Sequence, residues 1–181
     1  AQINPHFLFN TLNSIYSLAI EKSDYTPTAV VKLSGMMRYV LTESSAEFVS
    51  LEKEINYIRD FVDLQKIRFG DTADVNFEIS GEYFGNRIAP LILIAFIENA
   101  FKHVSKGKTQ QNYIKMYLAV NEANNLEMTI ENSKNKEMNS DNAGIGLKNV
   151  QRRLNLIYPE KHDLKIESGE INYKIILNIQ L

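Results

Sequence analysis

The chain has no cysteine and no tryptophan, and only three histidines, in 181 residues. Without thiols there is no disulfide, no thiolate nucleophile and no cysteine-held zinc, and the composition fits a reducing compartment. Three histidines argue against a histidine-rich metal centre. No apolar run approaches the ~18 residues of a membrane span, and no signal-peptide pattern is present. Charge of one sign is also missing: the net charge of −2 argues against nucleic acid or an anionic membrane as a partner. What remains is an ordinary globular composition, 44% apolar, long enough for one domain or two small ones.

Residues 2–10 read QINPHFLFN and are the most informative stretch. His6 follows a proline and precedes an apolar run containing Asn10 and then Asn13. Helical spacing puts Asn10 one turn beyond His6 on the same face, and Asn13 a turn further. An imidazole on an exposed helix face, oriented by an amide, is a candidate nucleophile. A lone histidine is more often structural, so the rest of the chain has to decide. There is no initiator methionine, and the stretch begins almost at Ala1. The chain therefore reads as the C-terminal part of a longer protein. Its first helix is expected to continue upstream, with any sensor, membrane or regulatory segment lying there.

Helical periodicity covers residues 4–22, with Leu8, Leu12, Ile15 and Ala19 on one stripe. Thr26 and Pro27 predict an N-cap and first-turn proline for a second helix to about Thr42. Its apolar side carries Val30, Leu33, Met37, Val40 and Leu41. Such a helical hairpin buries little by itself, and pairing with a second copy into a four-helix bundle completes it. After a linker at 44–50, Ser50 predicts a cap for a third helix ending near Gly70. Glu52 and Glu54 fall in its first turn, at the positive end of the helix dipole, and Leu51, Ile55, Ile58 and Val62 form its buried face.

The pattern then changes. Val75–Ile79 alternates as a strand, residues 88–104 form a strongly apolar helix, and 113–120 with 126–131 read as a hairpin around Asn124-Asn125. Residues 134–142 are polar and loop-like, 147–158 helical, and 164–167 and 173–181 strands joined near Gly169. Helices on one side of a mixed or antiparallel sheet make an α+β sandwich.

Two segments of this half carry chemistry. In PLILIAFIENAFKHV, Asn99, Lys102 and His103 share a helix face. An amide oxygen suits magnesium, which uses few protein ligands plus phosphate oxygens, and a lysine suits phosphate. The same spacing also fits an amphipathic helix with a polar edge. In NAGIGLKNV, Gly144 and Gly146 open a helix. Such a turn lets backbone N–H groups approach a phosphate, or is an ordinary glycine turn. The polar stretch before it, 133–143, is a candidate lid or an idle connection.

Together these residues resemble the LytS-type sensor histidine kinases with a GHKL-type ATP-binding domain. QINPHFLFNTLNSI resembles the phosphoacceptor box, and SLEKEINYIRDFVDLQKIRFG the helix leading into the catalytic domain. PLILIAFIENAFKH resembles the N-box, and GIGLKNVQRRLNLIY the glycine-rich box with its following helix. The resemblance implies a phosphoacceptor and dimerisation hairpin at 1–49, a connecting helix at 50–70 and an ATP-binding domain at 71–181. It implies that His6 is phosphorylated from ATP; Asn10, one helical turn on, is the candidate for orienting the imidazole. Asn99 becomes the Mg²⁺ ligand, Lys102 and His103 lie beside the triphosphate, and Gly144, Gly146 and Leu147 lie at the phosphate-side turn. It implies a homodimer, a response-regulator receiver domain as partner, and a cytoplasmic position below a membrane-borne upstream part.

Some positions depart from the pattern. Asn132 stands where the family has an adenine-binding aspartate, a loss of about 1 kcal/mol of charge assistance. The acidic residue that often follows the histidine is replaced by Phe7. Two other functions share part of the pattern. An ATP-hydrolysing GHKL protein needs a glutamate one turn before Asn99, where this chain has Ala95, with Glu98 roughly 100° away around the helix. A dimeric signalling scaffold with a vestigial ATP site needs no catalysis at all. Arg152 and Arg153 are expected to face solvent, as is His162.

Overall fold

The computed structural model describes residues 5–104, 112–134 and 144–181, without the side chains of Pro5, His6 and Ile145. Helix α1 (Pro5–Ile20) and helix α2 (Thr26–Thr42) form the expected hairpin. Strand β1 (Val49–Ser50) leads into helix α3 (Leu51–Phe69). Ser50 caps α3 as predicted, its hydroxyl accepting from the Lys53 N–H at 3.3 Å, and Gly70 ends it at φ +51°. The second helix starts differently. Tyr25 occupies its cap position without a side-chain bond, and Thr26 is already helical.

Strand β2 (Asp74–Gly81), strand β3 (Arg87–Ile88) and helix α4 (Ile94–His103) follow. The apolar run from Ile88 is thus not one helix. Pro90 lacks an N–H and disfavours helix in the residue before it. Leu91 then sits at φ +57°, and α4 begins only after this turn. Strands β4 (Tyr113–Val120) and β5 (Asn125–Ser133) form the predicted hairpin, with Asn124 at φ +57°. Helix α5 (Gly144–Ile157), strand β6 (His162–Ser168) and strand β7 (Asn172–Gln180) complete the described chain.

The main sheet has the order β2-β4-β5-β7-β6, and β1 pairs separately with β3. Only β2 and β4 run parallel; the other neighbours are antiparallel. Alternation sends Ile114, Met116 and Leu118 of β4, Leu126, Met128 and Ile130 of β5, and Ile175 and Leu177 of β7 to one buried face. The helices cover that face, as the alternation predicted, so the fold is an α+β sandwich. One contiguous core joins these strands to α4, α3 and the hairpin, from Phe7, Leu33 and Met36 through Phe61 to Phe101.

The buried faces of the hairpin differ from the expected stripes. On α1, Phe7 and Thr11 are buried, whereas Leu12, Phe9, Tyr16 and Ile20 are exposed. On α2, Ala29, Met36 and Tyr39 are buried beside Leu33 and Val40, whereas Val30 and Leu41 are exposed. Both helices are apolar on two faces, and packing on α3 selects one of them.

Candidate functional site

Three segments carry the sequence-predicted site, and the fold makes them neighbours. Helix α4 packs against both β5 and α5. Its final turns carry Asn99, half-buried, Lys102, exposed, and His103, half-buried. The Nε2 of His103 is buried and makes no hydrogen bond with the described residues. Burial, reinforced by the Lys102 charge, holds this imidazole below its ordinary pKa, so it is neutral at neutral pH.

Asn132 continues the buried series Met128 and Ile130 on β5, facing the helix layer at 1% exposure. Its Nδ2 donates to the Ser133 carbonyl at 3.0 Å. Its Oδ1 is buried and has no hydrogen-bond partner among the described residues. An orphaned buried acceptor carries a desolvation penalty, and a ligand amino group donating there relieves it. The residues present therefore fit an adenine edge.

Gly144 and Gly146 form the first turn of α5. Among the described residues, a β-carbon at Gly146 would meet nothing within 4 Å. Leu147 packs against the core and fixes the turn. Most of the expected lid, 135–143, lies outside the described residues, as does the imidazole of His6. Asn10 is half-buried on α1, one turn from His6, and its carbonyl accepts from Ser14 Oγ at 3.0 Å.

The helix of His6 is held against the rest of the chain by aromatic packing. Phe7 meets Phe61 of α3 with ring centroids 4.7 Å apart. Phe61 meets Phe101 of α4 at 5.7 Å, edge-on. Burial raises the pKa of Glu98, adjacent to Asn99, and its charge is felt by Tyr57 of α3. A groove of about 230 Å³ between α3 and β2, lined by Arg59, Asp63, Lys66 and Phe77 among others, contains none of the predicted site residues.

Glu54 falls in the first turn of α3 as expected and is fully buried there, accepting the Tyr39 hydroxyl at 2.5 Å and the Leu91 N–H at 3.0 Å. Two solvent-facing expectations are corrected, those for Arg153 and His162. Arg153 does not face solvent; it donates to the Pro90 carbonyl at 2.9 Å and to the Leu91 carbonyl at 3.5 Å. The sequence held a signal for Glu54: it interrupts the apolar stripe of Leu51, Ile55 and Ile58 with a carboxylate. His162, expected to be solvated, is half-buried, with Nδ1 at 2.7 Å from the Tyr158 carbonyl.

The sandwich, its N-box helix and its glycine turn define a GHKL-type histidine kinase fold. Residues 1–73 match the family described as histidine kinase. The sensor protein LytS of Streptococcus agalactiae is 30% identical over 187 residues, covering 97% of this chain and 32% of that protein. The sensor protein kinase HptS of Staphylococcus aureus is 38% identical over 118 residues, covering 65% of this chain and 23% of that protein. The histidine kinase domain of the Erythrobacter litoralis blue-light activated histidine kinase EL346 shares the fold. Its TM-score is 0.57 at 12% identity, over 98% of this chain and 93% of that domain. The chain is a relative of the LytS-type sensor histidine kinases, and the resemblance read from its motifs is borne out. It spans about a third of the length of the LytS proteins it matches.

Proposed function

We propose that the chain is the phosphoacceptor and ATP-binding part of a protein-histidine kinase in a two-component system. It takes the γ-phosphoryl group of ATP onto a ring nitrogen of His6 and passes it to an aspartate on a response-regulator receiver domain. One observation carries this reading. Helix α4, with Asn99, Lys102 and His103, packs against β5, where Asn132 keeps an acceptor without a partner among the described residues, and against α5, opened by Gly144 and Gly146.

Attack requires the neutral imidazole, and an N–P bond forms at His6 as the bond from phosphorus to the ADP oxygen breaks. The work of the protein is positioning and charge stabilisation. Asn99 would hold Mg²⁺, which supplies charge neutralisation at the phosphates. Lys102 adds a point charge, the N–H groups at Gly144 and Gly146 face phosphate, and Asn132 accepts from the adenine amino group. Asn10 orients His6, and Phe7 anchors that helix instead of taking a proton.

Residues 1–49 serve as the dimerisation hairpin, 50–70 as the connecting helix and 71–181 as the ATP-binding domain. The solvent-facing Phe9, Leu12, Tyr16 and Ile20 of α1, with Val31 and Leu41 of α2, support a homodimer closed as a four-helix bundle. Among the described residues no helix is long and apolar enough to cross a membrane. Membrane attachment belongs to an upstream part, which leaves this part on the cytoplasmic side.

Incubation with γ-labelled ATP and Mg²⁺ tests the reading. Label stable in alkali and lost in acid, because an N–P bond has that stability, is expected to be absent with EDTA and reduced on the order of 100-fold in Asn99→Ala. The scaffold reading draws on Asn132 standing in for a carboxylate. No heat on titrating millimolar MgATP, together with no label, would favour it.

A further inference from the structure

The turn between β3 and α4 is clamped from both sides. Its N–H groups are taken by side chains: Ala89 donates to Tyr158 Oη at 2.8 Å and Leu91 to Glu54 Oε2 at 3.0 Å. Its carbonyls accept from Arg153. Glu54 also accepts the Tyr39 hydroxyl at 2.5 Å, and the Tyr39 ring lies 4.9 Å from that of Tyr57. One fully buried carboxylate therefore touches α2 of the hairpin and the turn that launches α4. Arg153 ties the same turn to α5. The left-handed Leu91, at φ +57°, is a costly conformation for a leucine and persists only where its surroundings hold it.

We propose that Glu54 is a positioning residue. Through Tyr39 and Leu91 it couples the hairpin that bears His6 to the turn that sets the start of the Asn99 helix. Arg153 fixes the glycine-turn helix to the same point. This rests on the phosphotransfer reading above. The Tyr39 bond governs how the hairpin meets the ATP-binding half. The Arg153 bonds govern the ATP-binding half itself.

The two functions separate in kinetics. Tyr39→Phe removes one hydroxyl and keeps the ring, so the rate of His6 labelling at saturating ATP falls about tenfold with the KM for ATP unchanged. Arg153→Ala raises that KM about tenfold with a smaller effect on the saturated rate. Glu54→Ala does both. Glu54→Gln keeps one amide oxygen that can accept from both Leu91 and Tyr39, as Oε2 does, and stays within about threefold of the parent chain.

Amide exchange gives a readout that needs no catalysis. The Leu91 N–H is expected to exchange at least about fivefold faster in Glu54→Ala and Tyr39→Phe, but not in Glu54→Gln. If the parent chain takes up no label, the kinase reading fails while exchange still decides the coupling. Tyr39→Phe with parental labelling or, where nothing labels, parental exchange at Leu91 overturns the proposal.

Discussion

The ring of Phe7, next to His6 in sequence, rests on the ring of Phe61 at 4.7 Å, and Phe61 in turn touches Phe101 beside Lys102. This contact seats the helix of the candidate phosphoacceptor on the helix that supports the ATP-binding half. Phe61 is 1% exposed. Phe61→Ala should therefore cost about 3–5 kcal/mol in urea unfolding. A double-mutant cycle with Phe7→Ala should return a coupling of about 0.5–1.5 kcal/mol. No coupling would mean that α1 is not seated there in solution.

The carboxyl of Glu54 predicts a pH dependence of stability. Burial pushes its pKa up, against the Tyr39 hydroxyl, the Leu91 and Leu93 amides and the Arg153 charge, which favour the charged form. A group raised on folding binds more protons folded than unfolded. Its contribution is complete below the ordinary carboxylate range and is lost as pH rises through the raised folded value. The stability of the parent chain minus that of Glu54→Gln should therefore fall as pH rises from the ordinary carboxylate range through the raised folded value. Urea midpoints measured across that range check it, and a difference that grows with pH would contradict it.

At Asn132 the two ends of the amide do different work. Losing the orphaned Oδ1 in Asn132→Ala should weaken ATP binding about fivefold by calorimetry, equivalent to about 1 kcal/mol. Asn132→Asp restores the residue the family uses but turns a carboxylate toward the Ser133 carbonyl that Nδ2 now satisfies. It should lower stability by about 1–3 kcal/mol. Unchanged affinity in the alanine variant would remove Asn132 from the adenine site.

The exposed Tyr16 tests the hairpin as a dimer face. A charge there, in Tyr16→Glu, should weaken self-association at least about 30-fold, or about 2 kcal/mol, in sedimentation equilibrium. An unchanged mass distribution would place the interface elsewhere.

Local chemistry made much of this molecule legible in sequence. Ser50, the Asn124-Asn125 turn, and the alternation of β4, β5 and β7 act over a few residues and read directly. The order of the His6, Asn99 and Gly144–Gly146 segments gave the kinase resemblance. What failed depended on distant partners. Phe7 and Leu12 are equally apolar, and only the position of α3 decides which is buried. The run from Ile88 reads as helix until Pro90 and the contacts on Leu91 break it. Glu54 reads correctly as a first-turn carboxylate of α3, but its burial is not legible, because its partners, Tyr39 and Leu91, are 15 and 37 residues away.

Phosphoryl transfer to His6 is decided by site-resolved labelling. The parent chain, His6→Gln and Asn99→Ala are incubated with γ-labelled MgATP, and the labelled peptide is identified. Label on the peptide containing His6, abolished in His6→Gln and reduced on the order of 100-fold in Asn99→Ala, is the predicted result. Undiminished label in His6→Gln would contradict it.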